Sequence, residues 1–80
     1  MSYRITYAPP ADDTLAKMRN AEAFRDVMER TIGRDPYGYG SAAVRDDRDR
    51  REATVLGAIA LYYVSGSVLT VTVVRLVPGL

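Results

Sequence analysis

Tyr3, Ile5 and Tyr7 alternate with Ser2, Arg4 and Thr6, the period-two pattern of a half-buried strand, and predict a first strand over residues 2–7. Pro9 and Pro10 end it, because neither can donate a ladder hydrogen bond. Both suit the opening turn of a helix, where Asp12 and Asp13 complement the positive end of the dipole. Ala11, Leu15 and Met18 then fall on one helical face. Asn20 breaks that pattern and is placed to cap a second helix, whose apolar stripe is Ala21, Phe24, Met28 and Ile32. Arg25, Asp26, Glu29 and Arg30 lie on its outer face, Gly33 is positioned to terminate it, and Pro36 confirms the stop.

After a connecting loop from Pro36 through the charged run Arg45 to Glu52, residues 53–74 carry no charge at all. An uncharged stretch of that length is long enough to cross a bilayer as a helix. Against that reading, Ser65-Gly66-Ser67 is a turn signal in its middle, and Thr70 and Thr72 alternate with Leu69, Val71 and Val73. The pattern predicts strands near 51–57, 58–64 and 68–77, the last two closing as a hairpin. The order is β-α-α-β-β-β, an α+β fold in which two helices pack on one face of a largely antiparallel four-stranded sheet.

Eighty residues make one domain, 1–80, and 48% hydrophobic content is that of a folded chain, not a disordered tail. Without a single Cys or His, disulfides, thiolate nucleophiles, Cys/His zinc sites and imidazole acid–base chemistry are excluded. No cofactor and no metal are expected. The N-terminal segment lacks the basic and apolar regions of a secretory leader, so a cytoplasmic location is expected. Charge is balanced, with residues 1–40 carrying six groups of each sign and residues 41–80 five basic and four acidic. Phosphate binding must therefore rest on local clusters. Ten of the eleven basic residues are Arg, which stabilises anionic charge with a planar fork but does not serve as a general base.

Two features stand out as candidate chemistry. The run Arg45-Asp46-Asp47-Arg48-Asp49-Arg50-Arg51-Glu52 has two readings: a solvated loop whose carboxylates pair with their Arg neighbours, or an edge that contacts phosphate. Among six Tyr, Tyr3, Tyr7 and one of Tyr62 and Tyr63 belong to the core. Tyr37 and Tyr39, on the glycine-bearing loop, are free to stack on bases. RNA cleavage without metal needs a base for the 2′-hydroxyl, a charge stabiliser and an acid for the leaving oxygen. Arg fills only the second role, so the base must be a carboxylate, Lys17 or a Tyr.

Several strings, in order, resemble the RelE/ParE toxins of type II toxin–antitoxin modules. Tyr3-Arg4-Ile5-Thr6-Tyr7-Ala8-Pro9 resembles the family's opening strand and helix-starting proline, and Asp35-Pro36-Tyr37-Gly38-Tyr39-Gly40 is similar to its Asp-Pro-x-Gly-Tyr-Gly string. Asp49-Arg50-Arg51 before Val55-Leu56-Gly57 looks like its basic second strand. Leu61-Tyr62-Tyr63-Val64 and Val71-Thr72-Val73-Val74-Arg75 resemble its closing hairpin. The resemblance implies a RelE-like toxin that inhibits translation by ribosome-dependent mRNA cleavage, with Arg50, Arg51 and Arg75 as catalytic groups and Arg45, Arg48, Tyr37 and Tyr39 as RNA- or phosphate-binding groups. It also implies an antitoxin partner, with the ribosome and mRNA as targets. The alternative is a ParE-like or noncatalytic binding module directed at an antitoxin or DNA gyrase; a homodimer is a further possibility and no membrane is expected. This chain departs from the family pattern at Ala60, where the third strand usually carries an Arg, and at Val77-Pro78-Gly79-Leu80, where a His, Arg and Tyr are usual.

Overall fold

The computed structural model describes residues 2–79. Strand β1 (Arg4–Tyr7) leads into helix α1 (Pro9–Ala16), with the two prolines in its first turn and Asp12 near its N-terminus. Helix α2 (Ala21–Arg30) follows; Asn20 occupies its N-cap position, although its side chain makes no capping hydrogen bond. Past α2, the Gly33 N–H donates to the Met28 carbonyl and the Gly33 carbonyl accepts from Tyr3 N–H, tying the helix end to the start of β1. A β-carbon at Gly33 would meet the Glu29 carbonyl oxygen at 2.6 Å, so the close approach there requires glycine.

The remaining strands are β2 (Ala42–Val44), β3 (Asp47–Val55), β4 (Ala58–Ser65) and β5 (Thr70–Val77). They form one mixed five-stranded sheet in the order β1-β5-β4-β3-β2, with β1 parallel to β5 and every other pair antiparallel. The α+β class and the helix pair are as expected, but the sheet has five strands where four were expected. The extra strand, β2, lies in the segment read as loop. The charged run is likewise not a loop: β3 begins at Asp47, and Arg45 and Asp46 form the two-residue turn of the β2–β3 hairpin at φ 55° and 62°. Periodicity missed this because a strand whose exposed half is all charged shows no apolar alternation. Leu56 and Gly57 make the corresponding turn between β3 and β4.

Both helices cover one face of the sheet. Ala11, Leu15, Phe24, Met28 and Ile32 are fully buried against Ala53, Val55, Ala58, Ala60, Tyr62, Val64, Val71, Val73 and Leu76. The uncharged stretch 53–74 is thus strand and hairpin, and no helix among the described residues is long and apolar enough to cross a membrane. Strand β5 carries the irregularity that matters most for the other face. Tyr62 pairs with Val73 while Leu61 pairs with Arg75, leaving Val74 as the extra residue of a bulge. Strict alternation from Val71 and Val73 would drive Arg75 into the core. The bulge turns Arg75 outward and returns Leu76 to the buried side.

Candidate nucleic-acid interface

The face of the sheet away from the helices carries the chemistry. Directly paired residues share a face, so the register lays out its side chains in rows across the strands. One row runs Arg50, Tyr63, Thr72 and Thr6 over β3, β4, β5 and β1. Its members touch: the Arg50 guanidinium lies 5.1 Å from the Tyr63 ring centre, and the Thr6 and Thr72 hydroxyls are 3.4 Å apart. The next row toward the β4–β5 turn is Ser65, Thr70 and Arg4, and the row on the opposite side is Ala42, Glu52, Leu61 and Arg75. Beyond it lie Thr54, Ile59 and Val77. Arg4, Arg50 and Arg75 therefore surround a field of hydroxyls and one aromatic ring. Among the described residues none of the three is in an ion pair, because both ion pairs, Arg25–Asp12 and Arg30–Asp26, involve the helices. A planar guanidinium over an aromatic face keeps its outward donors available to a phosphate.

Arg51 is on the other side. It pairs with the buried Tyr62, and its guanidinium donates to the Ser41 hydroxyl at 3.0 Å and to the carbonyls of Arg48 at 3.0 Å, Ser41 at 3.2 Å and Tyr37 at 3.5 Å. Four acceptors occupy the fork, which pins the loop 36–41 to β3. Tyr62 completes the tie from below, donating its buried hydroxyl to the Pro36 carbonyl at 2.6 Å. Burial pushes the Tyr62 hydroxyl above its ordinary range, so it stays a proton donor here.

Tyr37 is half-buried in the same network. Its hydroxyl donates to the Asp49 carboxylate at 2.6 Å, which raises its pKa, with burial and the Asp49 charge adding to the effect and Arg48 opposing it. Arg48 and Arg51 stand 4.4 and 5.3 Å from its ring centre. The run 45–52 thus contains no Arg–carboxylate ion pair among the described residues; its acidic groups bind a tyrosine hydroxyl and, through Asp47, the Asp49 backbone N–H. Tyr39 is 55% exposed at φ 54°, and Arg45 projects from the β2–β3 turn.

The predicted residues are therefore divided. Arg50 and Arg75 share the open face, Arg48 and Tyr37 form a separate cluster at one end of β3, and Arg51 braces the loop. Ala60, where the resemblance placed a missing Arg, points into the core with no exposure. The position of β4 that faces outward at that level is Leu61, between Glu52 and Arg75. Sequence reasoning passed over Arg4, Glu52, Tyr63 and Thr72. Alternation along β4 carried the signal for Tyr63, since a buried Tyr62 forces its neighbour outward. No three ligating side chains converge as a metal site among the described residues.

Two cavities are present among the described residues, and only the smaller lies on this face. A shallow one of about 140 Å³ is lined by Gly40, Ala42, Glu52, Thr54 and Ile59. A larger one of about 630 Å³ lies at the far end of the molecule, where Lys17 and Arg19 stand with Met18, Leu56 and Pro78.

No protein-family model matches the sequence, and no curated protein matches it. The architecture nevertheless has a clear class: a small α+β domain with helices on one side of a mixed sheet and an Arg-bearing face left open. Solved structures place it. The toxin–antitoxin complex RelBE2 from Mycobacterium tuberculosis contains a chain similar to this one with a TM-score of 0.78 at 18% identity, covering 98% of this chain and 99% of that one. The intact RelBE toxin–antitoxin complex of E. coli gives 0.76 at 14% identity, with 99% of each chain covered. The archaeal RelE–RelB complex from Pyrococcus horikoshii gives 0.63 at 20% identity, covering 98% and 96%. The protein has a RelE-like fold.

Proposed function

We propose that this protein is the toxin of a type II toxin–antitoxin module, acting as an inhibitor of translation that cleaves mRNA on the ribosome. The observation that carries this reading is the open face, on which Arg50 lies over Tyr63 and the bulge at Val74 delivers Arg75 to the same side. Unpaired guanidinium groups beside an aromatic ring suit a single-stranded RNA, whose phosphates they grip and whose bases stack. Arg50 and Arg75 hold the scissile phosphate and stabilise the charge of its phosphorane; Arg4 binds the neighbouring phosphate. Arg51, Tyr62 and Tyr37 act at one remove by holding the loop 36–41 and the start of β3. Arg45, Arg48 and Tyr39 extend the contact along the strand.

An antitoxin partner is part of the same proposal. The larger cavity supports it, with Lys17 and Arg19 over an apolar floor suited to a segment that carries both carboxylates and apolar side chains. Ile59 and Val77, each 40% exposed and paired across β4 and β5, support a second reading in which the sheet binds protein without cleaving RNA. DNA gyrase is one target of that kind.

A cell-free translation reaction with purified protein separates the two. Loss of protein yield together with new mRNA 5′ ends inside ribosome-bound message is the result expected of the nuclease. Full yield with intact message overturns it and favours the binding module.

A further inference from the structure

Glu52 is the one carboxylate on the open face among the paired strand positions from Arg50 to Val55 and their partners on β4 and β5. It stands two residues along β3 from Arg50, about 7 Å at the spacing of a strand. Across the sheet it is separated from Arg75 by Leu61, about 10 Å at two interstrand steps. Glu52 is exposed and makes no ion pair with either arginine among the described residues. Leu61 offers no polar atom, so a phosphate gripped by Arg50 and Arg75 rests over an apolar floor with Glu52 at its margin. On the other side of Glu52 the sheet falls away, because its β2 partner is Ala42, and the depression of about 140 Å³ opens there.

Resting on the proposed ribonuclease reading, we infer that Glu52 is the general base of the cleavage and that the depression beside it seats the nucleoside whose 2′-hydroxyl it deprotonates. The Glu52 carboxylate takes the 2′-hydroxyl proton. The freed electron pair on O2′ forms the O2′–phosphorus bond, and the bond from phosphorus to O5′ breaks with its pair on O5′, which takes a proton from water. The products are a 2′,3′-cyclic phosphate and a 5′-hydroxyl. Charge on the phosphorane is met by Arg50 and Arg75, which cannot accept the proton themselves. The assignment answers the chemical gap left by a chain without His.

The test compares wild type with Glu52→Gln and Glu52→Asp in single-turnover cleavage of ribosome-bound mRNA as a function of pH. Binding of the same mRNA with a 2′-deoxy substitution at the cut site is measured alongside. The expected result is a rate lowered about 10²- to 10⁴-fold in Glu52→Gln, the range of general-base catalysis, with the acid limb of the wild-type pH profile gone. Glu52→Asp retains the limb at reduced rate, binding of the deoxy substrate is undiminished in both, and the wild-type product ends in a cyclic phosphate. Cleavage by wild type with an unchanged rate and pH profile in Glu52→Gln overturns the base assignment alone. Absence of cleavage by wild type overturns the proposed function, and the base with it.

Discussion

Arg50 and Arg51 are consecutive in the chain and work on opposite sides of the sheet. Arg50 lies over Tyr63 on the open face with its outer donors free, whereas Arg51 spends its fork on Ser41, Arg48 and Tyr37 next to the core. Alternation in a strand makes this division unavoidable. A double alanine variant would therefore mix two effects. Arg50→Ala is expected to abolish growth inhibition and cost at most about 1 kcal/mol of stability, the size of an exposed cation–π contact. Arg51→Ala is expected to cost about 1–3 kcal/mol by leaving loop carbonyls without a donor. Chemical denaturation of the two single variants, read beside their toxicity, separates binding from bracing.

The bulge at Val74 makes the second prediction. With Val74 present and no bulge, Arg75 would face the core, and an uncompensated buried charge costs about 3–5 kcal/mol, a large part of the roughly 4–12 kcal/mol available to a domain of this size. Deleting Val74 removes the extra residue and leaves Val73, Arg75 and Leu76 in strict alternation, so Arg75 stays on the open face and Leu76 stays in the core. The deletion variant and Val74→Ala are therefore both expected to keep cooperative thermal unfolding, with Arg75 still on the open face. Loss of cooperative unfolding in the deletion variant would show that Val74 does more than take up the extra position of the bulge.

Much of this fold was legible from periodicity. The stripes Ala11-Leu15 and Phe24-Met28-Ile32 are core, and the uncharged stretch resolves into strands around the predicted hairpin. What escaped has physical causes. The strand β2 and the first half of β3 bury almost no apolar side chain, so nothing marks them in a hydrophobicity pattern. The open face was legible only in part, because Arg75 reaches it through a one-residue bulge that alternation cannot foresee. Arg4 and Thr6 join it through a parallel pairing of β1 with β5, sixty-six residues apart at Thr6 and Thr72. Arg51 looked equal to Arg50 because residue type does not reveal which side of a strand is occupied.

The tyrosines set an alkaline limit to stability. Burial raises Tyr7 to about 12 from 10, the Arg25 guanidinium partly opposing and Glu29 adding to the shift, and Tyr37 and Tyr62 move in the same direction. Between pH 10 and 12 the unfolded chain releases the Tyr7 proton while the folded chain retains it, so the unfolded state binds fewer protons and stability falls as pH rises. Below pH 10 the hydroxyl is neutral in both states and this dependence vanishes. Thermal melting is expected to show a falling midpoint above pH 10, less steep in Tyr7→Phe, with tyrosinate absorbance reporting the ionisation directly. A slope unchanged by Tyr7→Phe would assign the loss elsewhere.

Leu56 sits in the first position of the β3–β4 turn at φ 48°, 51% exposed. A left-handed conformation costs a non-glycine residue about 1–2 kcal/mol, and Asn tolerates it better than Leu. Leu56→Asn is expected to stabilise the fold by about 0.5–1 kcal/mol, measured by urea unfolding. Leu56→Val, β-branched at the same φ, is expected to destabilise it.

The proposed phosphate binding by Arg4, Arg50 and Arg75 has a salt signature. Each phosphate contact on a single strand contributes about 0.7 to the slope of log affinity against log salt. Removing one of these arginines is expected to lower the slope for a single-stranded RNA by about that amount, uniformly across sequences, since guanidinium–phosphate contacts carry no base information. Arg30→Ala, on an exposed residue of α2 across the sheet from the open face, is the control expected to leave the slope unchanged. If Arg4→Ala and Arg75→Ala also leave it unchanged, the RNA does not lie along the rows that join β1, β5 and β4, and the contact is confined to the Arg45–Arg50 end of β3.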